Sequence, residues 1–114
     1  MDALEMTLLY DYYGELLTQR QKQCIELRYN QDLSLSEIAE VLQVSRQGVF
    51  DNLNRAEALL RNMEEKTGCV RRDLGCRKAA GTIETLAASL QNHPEGAVRT
   101  CAREILAQAR RMKE

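Results

Sequence analysis

A chain of 114 residues is the size of one domain, or of one domain with a helical appendage. Apolar residues make up 44% of it with one Phe and no Trp, so Leu, Ile, Val and Ala must build the core, and one Pro and six Gly leave the long uninterrupted stretches of an all-α helical bundle. The net charge of −1 hides an imbalance, seven Lys/Arg against twelve Asp/Glu in residues 1–66 and nine against five in residues 67–114, which excludes a first half held to nucleic acid by charge alone.

The start, Met1-Asp2-Ala3-Leu4-Glu5, has neither the basic nor the apolar region of a signal peptide, and nowhere do about 18 apolar residues run together. A cytoplasmic protein without membrane insertion is expected. Leu4, Leu8, Tyr12 and Leu16 recur every four residues, with Leu9 and Tyr13 beside them, and predict a first helix over about 3–16. Tyr10, Tyr12 and Tyr13 read as a core and dimer seam in preference to a stacking platform for RNA. Thr18 and Gln21 form a capping box that opens a second helix, running to about Tyr29 with Ile25 on its inner side, and Asn30-Gln31-Asp32 breaks it.

Ser34 and Glu37 form a second capping box, and Ile38, Ala39 and Leu42 give the short third helix its buried face. Gln43-Val44 is a tight turn, and Ser45 caps a long fourth helix that stops at Gly68. Val49, Leu53, Ala56 and Leu60 share its inner stripe, and Leu59 and Met63 widen that stripe toward a further partner. In the tail, Val70, Leu74, Ile83, Leu86 and Leu90 predict one helix or a pair broken near Gly81. Asn92-His93-Pro94 reads as the start of a last helix, marked by Val98, Ala102, Ile105, Ala109 and Met112. The expected domains are 1–67, a helix-turn-helix, and 68–114, a C-terminal helical extension packing on the first domain or on a second subunit.

A short helix, a tight turn and a longer helix are what reading a DNA groove requires. The candidate nucleic-acid-binding residues are the outward ones at the start of the fourth helix: Arg46, Gln47, Phe50, Asp51, Asn54 and Arg55. Arg46 suits phosphate or guanine, and Gln47 and Asn54 suit adenine edges. Asp51 repels a nearby phosphate but can accept from a cytosine amine. Phe50 lies at the edge of the apolar stripe, where packing against another helix or subunit is favoured over contact with a base. Arg99, Arg103 and Arg110 lie within about 60° of one another on the last helix and form a secondary basic surface. A solvated face is the ordinary reading of those charges; the alternatives are a nucleic-acid surface or docking of the basic tail on the acidic head.

Leu17-Thr-Gln-Arg-Gln-Lys-Gln-Cys-Ile-Glu-Leu-Arg-Tyr29 and Leu33 to Val49 resemble region 4 of bacterial sigma factors. The segments Leu9-Tyr-Asp-Tyr-Tyr-Gly-Glu-Leu-Leu-Thr18 and Val44-Ser-Arg-Gln-Gly-Val-Phe-Asp-Asn-Leu-Asn-Arg-Ala-Glu57 more closely resemble the YlxM family of helix-turn-helix proteins. The match is strong over residues 4–66 and architectural over the tail. That resemblance implies a DNA-binding regulatory protein that modulates the signal recognition particle pathway and has components of that particle as partners. The alternative is a protein–protein or RNA–protein module that keeps the fold without reading DNA. DNA is favoured over RNA, and a homodimer is expected from Leu59, Met63 and the first-helix seam. No phosphate loop or nucleophile–base pair appears, so the protein reads as no enzyme and needs no cofactor. Cys24, Cys69, Cys76, Cys101 and His93 lack the short paired spacing of a zinc site.

Overall fold

The computed structural model describes residues 3–114, in which the regular elements are six α-helices with no strand. Met1 and Asp2, used above in reading the N-terminus, lie outside the described residues. In chain order the helices are α1 (Ala3–Tyr13), α2 (Gln19–Ile25), α3 (Leu35–Leu42), α4 (Arg46–Thr67), α5 (Cys69–Ala88) and α6 (Gly96–Arg111). The chain divides into two compact units, Met1–Val70 and Arg71–Glu114, so that the boundary falls inside the first turn of α5.

Local hydrogen bonds set where the helices of the first unit begin. Thr18 Oγ1 accepts from the Gln21 amide at 3.2 Å and Gln21 Oε1 accepts from the Thr18 amide at 2.9 Å. Ser34 and Glu37 repeat the exchange at 3.1 and 3.0 Å, and Ser45 Oγ takes the Gly48 amide at 3.0 Å. Each satisfies backbone donors that the first helical turn leaves without partners. Beyond Ile25 the second helix widens into a single π turn, Glu26–Asn30, and Asp32 in the left-handed region then redirects the chain. Gly68, at φ 63°, ends α4, a conformation that costs a side-chain-bearing residue more than glycine.

Met6, Ile25, Ile38, Val49 and Leu60 are fully buried in one cluster to which α1 through α4 all contribute. Here the first-helix reading needs correction. The inward stripe is Met6, Leu9, Tyr13 and Leu17, whereas Leu4 is 71% and Leu16 55% exposed and Tyr12 also faces outward. Both stripes are apolar, and a strict four-residue repeat drifts about 40° per step around a 3.6-residue helix, so spacing alone picked the wrong one. α1 also ends at Tyr13, after which Gly14–Leu16 tightens into a 3₁₀ turn. Leu59 and Met63 are half-buried and pack against this same cluster, so within this chain they already have partners.

In the second unit, α5 runs unbroken through Gly75 and Gly81, the single helix of the two alternatives. Glycine costs only about 1 kcal/mol inside a helix, and the surrounding alanines favour the helix throughout. α6 starts later than expected, at Gly96 with Glu95 as its cap, leaving Pro94 outside the helix. The segment before it is held as turns instead, by bonds from the Leu90 amide to Ala87 O at 3.0 Å and from the His93 amide to Leu90 O at 3.2 Å. The buried apolar positions here are Ala80, Ala87, Ala102, Leu106 and Ala109. Lys113 Nζ lies 3.2 Å from Glu84 Oε1.

Candidate nucleic-acid interface

The helix-turn-helix is α3, the turn Gln43–Ser45 and α4. Gln43 takes the left-handed conformation, φ 56°, and its side-chain amide donates to Glu40 O at 2.8 Å, while the Val44 amide donates to Ala39 O at 3.1 Å. The turn therefore closes on the end of α3 and delivers Ser45 to cap α4. Gly48 belongs to that cap: a Cβ there would sit 3.1 Å from the Ser45 hydroxyl oxygen. Ile38 and Val49, both fully buried, fix the crossing of the two helices. The Ser34 amide and hydroxyl hold the Glu37 carboxyl below its ordinary range, which keeps the α3 cap ionised.

All six residues singled out on α4 are exposed. At about 100° per residue, Arg46, Phe50 and Asn54 form one ridge about 80° wide, and Gln47 and Asp51 form the adjoining one. Arg55 lies farther round. Neither Arg46 nor Arg55 enters an ion pair among the described residues. Asp51 has a role that its charge alone did not suggest: it accepts from the Gln47 side-chain amide at 3.0 Å. That bond braces Gln47 with its carbonyl oxygen and second N–H free, the pair needed against an adenine edge.

Phe50 is 46% exposed. With Leu35, Arg46 and Gln47 it lines an open hollow of about 410 Å³, and a second hollow of about 520 Å³, lined partly by Ala39, Glu40, Gln43 and Arg46, lies over the turn. Leu35 is the member that the periodicity of α4 does not reveal, because it belongs to α3. An apolar residue directly after a capping serine was the available signal.

The secondary basic residues are differently engaged. Arg99 is half-buried, and its guanidinium donates to His93 O at 2.6 Å and Pro94 O at 2.9 Å, bracing the turn ahead of α6. Arg103 and Arg110 are exposed, with Arg103 3.4 Å from Thr100 Oγ1. Elsewhere in the first unit, burial pushes the Cys24 thiol above its ordinary range, and no disulfide links any of the chain's four cysteines.

A family model described as "Putative helix-turn-helix protein, YlxM / p13 like", UPF0122, matches residues 1–92. The chain belongs to this family. A UPF0122 protein of Thermoanaerobacter sp. strain X514 is 56% identical over 71 residues, which are 62% of this chain and 61% of the relative. One from Desulforamulus reducens is 59% identical over 66 residues, 58% of this chain and 56% of the relative. One from Geobacillus kaustophilus is 49% identical over 70 residues, 61% and 64% of the two chains. Each match thus spans less than two thirds of the relative's own length. The chain has the helix-turn-helix of its family, and among the described residues no helix is long and apolar enough to cross a membrane.

Proposed function

We propose that this chain is a DNA-binding regulatory protein that lays the first turns of α4 in the major groove of a duplex. The observation that carries the reading is the surface there: Arg46, Phe50 and Asn54 on one ridge and a braced Gln47 on the next, all turned outward by the packing of Val49 and Leu53. Arg46 would take a phosphate or guanine, and Gln47 and Asn54 adenine edges. With Arg46 and Arg55 as the only cations among these residues, one module neutralises few phosphates, and two modules on two half-sites would compensate. A homodimer is therefore part of the proposal, with Leu4, Tyr12 and Leu16 among the exposed apolar side chains a second copy would cover. On the family resemblance, the regulated process is the signal recognition particle pathway in the cytoplasm.

The acidic balance of residues 1–66 supports a second reading, a module that keeps the fold and binds protein or RNA. Anisotropy of labelled duplex, RNA and candidate proteins, titrated between about 50 and 200 mM salt, separates the two. DNA reading requires a log–log salt slope of about −0.9 per phosphate contacted, and loss of duplex binding in Arg46→Ala and Asn54→Ala. Retention by both variants, with loss only on replacing Arg103 and Arg110, would move the nucleic-acid surface to α6. A monomer in sedimentation at micromolar concentration would sink the dimer.

A further inference from the structure

The hollow beside Phe50 has a composition that selects among base edges. Two of its lining residues, Leu35 and Phe50, are apolar; the other two, Arg46 and Gln47, bring hydrogen-bond donors. Phe50 is the chain's one phenylalanine and is 46% exposed, beside the side chains that face the groove under the DNA reading. A base that offers an apolar group flanked by an acceptor matches the apolar pair and the donors of this lining together. In the major groove thymine does so, with its 5-methyl group next to O4, whereas cytosine offers a donor and no methyl. Asp51 strengthens the match, because it takes one N–H of Gln47 and so limits how that amide can turn.

We propose that the hollow between the start of α3 and the start of α4 receives the 5-methyl group of a thymine, making Phe50 and Leu35 residues that determine sequence specificity. This rests on the DNA-reading proposal above. Arg46 or the free N–H of Gln47 donates to O4 of the same thymine, in place of the guanine or adenine contact given to that residue above, so the apolar and polar linings read one base together. Neither apolar residue carries charge, and the contribution to specificity is therefore insensitive to salt, unlike that of Arg46.

The test uses the full chain. Duplexes are first selected from a randomised pool at low salt, and each thymine of the selected site is then replaced in turn by deoxyuridine, which removes only the methyl. One such replacement per half-site weakens binding about fourfold, the worth of one buried methyl at about 0.8 kcal/mol. Phe50→Ala binds the thymine and deoxyuridine duplexes equally, and Phe50→Leu keeps part of the difference. Because Phe50 is half-exposed, the helical circular dichroism of both variants stays that of the parent. Duplex binding without any response to deoxyuridine, or an undiminished response in Phe50→Ala, overturns the assignment of the hollow alone. Absence of duplex binding by the parent chain overturns the DNA reading and this assignment together.

Discussion

Between residues 3 and 70 the fully buried side chains include Met6, Ile25, Ile38 and Leu60, whereas between residues 71 and 114 the buried apolar positions are four alanines and Leu106. In that second stretch Leu74, Leu86, Leu90, Ile105 and Met112 are exposed instead. Burying a large aliphatic side chain contributes about 1.5–3 kcal/mol and burying an alanine methyl far less, so the two stretches are stabilised by different means. The first rests on core volume, fixed by helices that local caps have already positioned. The second rests on helix propensity and on short-range bonds such as those of Arg99 to His93 O and Pro94 O. A recognition surface needs the first kind of support, since α4 can present Arg46 and Phe50 reproducibly only if Val49 and Leu53 are held.

The sharpest way to break this comparison is to remove volume from both regions. Ile38→Ala, at the crossing of α3 and α4, costs about 2–5 kcal/mol in urea denaturation, with the cavity adding to the lost transfer energy. Leu106→Ala falls at the low end of that range, about 2 kcal/mol, because the other buried side chains of its unit are alanines and offer few atoms to lose contact with. Equal costs at the two sites would show that the tail too relies on core volume.

The next effect belongs to the junction. Gly68 ends α4 at φ 63°, and two residues later the Val70 amide donates to Glu64 Oε1 at 3.0 Å, while Tyr13 donates to the same oxygen at 2.7 Å. Gly68→Ala forces a Cβ into the left-handed region and costs about 1–2 kcal/mol in the same denaturation experiment. Tyr13, Glu64 and Val70 tie α1, α4 and the first turn of α5 together at this point, so the penalty falls on the first region.

Smaller again is loss of a cap. Ser34→Ala removes the acceptor for the Glu37 amide and costs about 1 kcal/mol. It also removes the hydroxyl's part in holding down the folded pKa of Glu37, while the larger part, the Ser34 amide, remains. A depressed carboxyl contributes stability that is present above its unfolded pKa and is lost as pH falls through the folded value. Acid titration of stability therefore flattens slightly in Ser34→Ala relative to the parent; an unchanged profile would mean that the Ser34 hydroxyl contributes nothing through the charge of Glu37.

What was legible in the sequence follows the same division. The caps at Thr18, Ser34 and Ser45 and the stop at Gly68 are decided by residues within a turn of one another, and each appears in the structure. The inner stripe of α4 was legible because its opposite face is polar. α1 was not, because Leu4, Leu8, Tyr12 and Leu16 compete with Met6, Leu9, Tyr13 and Leu17, and only packing against α4 chooses between them. Pro94 misled for a related reason: its intrinsic preference is weaker than the turn bonds around it, while at Gly81 the sequence left a single helix and a broken pair both open. At the candidate interface, the outward positions on α4 were legible from periodicity. The Gln47–Asp51 bond was not, since i,i+4 spacing permits such a pair without requiring it, and Leu35 comes from a different helix.

The mildest prediction at neutral pH becomes the most selective in alkali. All four tyrosines lie in the first region. Tyr10 donates to Glu26 Oε1 at 2.6 Å and Tyr29 donates to Glu57 Oε1. Burial first, and then these carboxylates, push both phenols up to about 12. A phenol whose folded pKa lies above its unfolded value of about 10 contributes stability in full below pH 10, and loses it as pH rises from there toward 12. Replacing either tyrosine by Phe costs about 0.5–1.5 kcal/mol at neutral pH, the ordinary worth of one hydrogen bond. The double variant Tyr10→Phe/Tyr29→Phe loses most of the steep fall in stability above pH 10 and keeps the part that belongs to Tyr13, followed by urea denaturation and by phenolate absorbance in the parent. An equally steep fall in the double variant would assign alkaline sensitivity to other groups. Tyr13, whose phenol burial also pushes above its ordinary range and which donates to Glu64 Oε1, would then be the group to replace next.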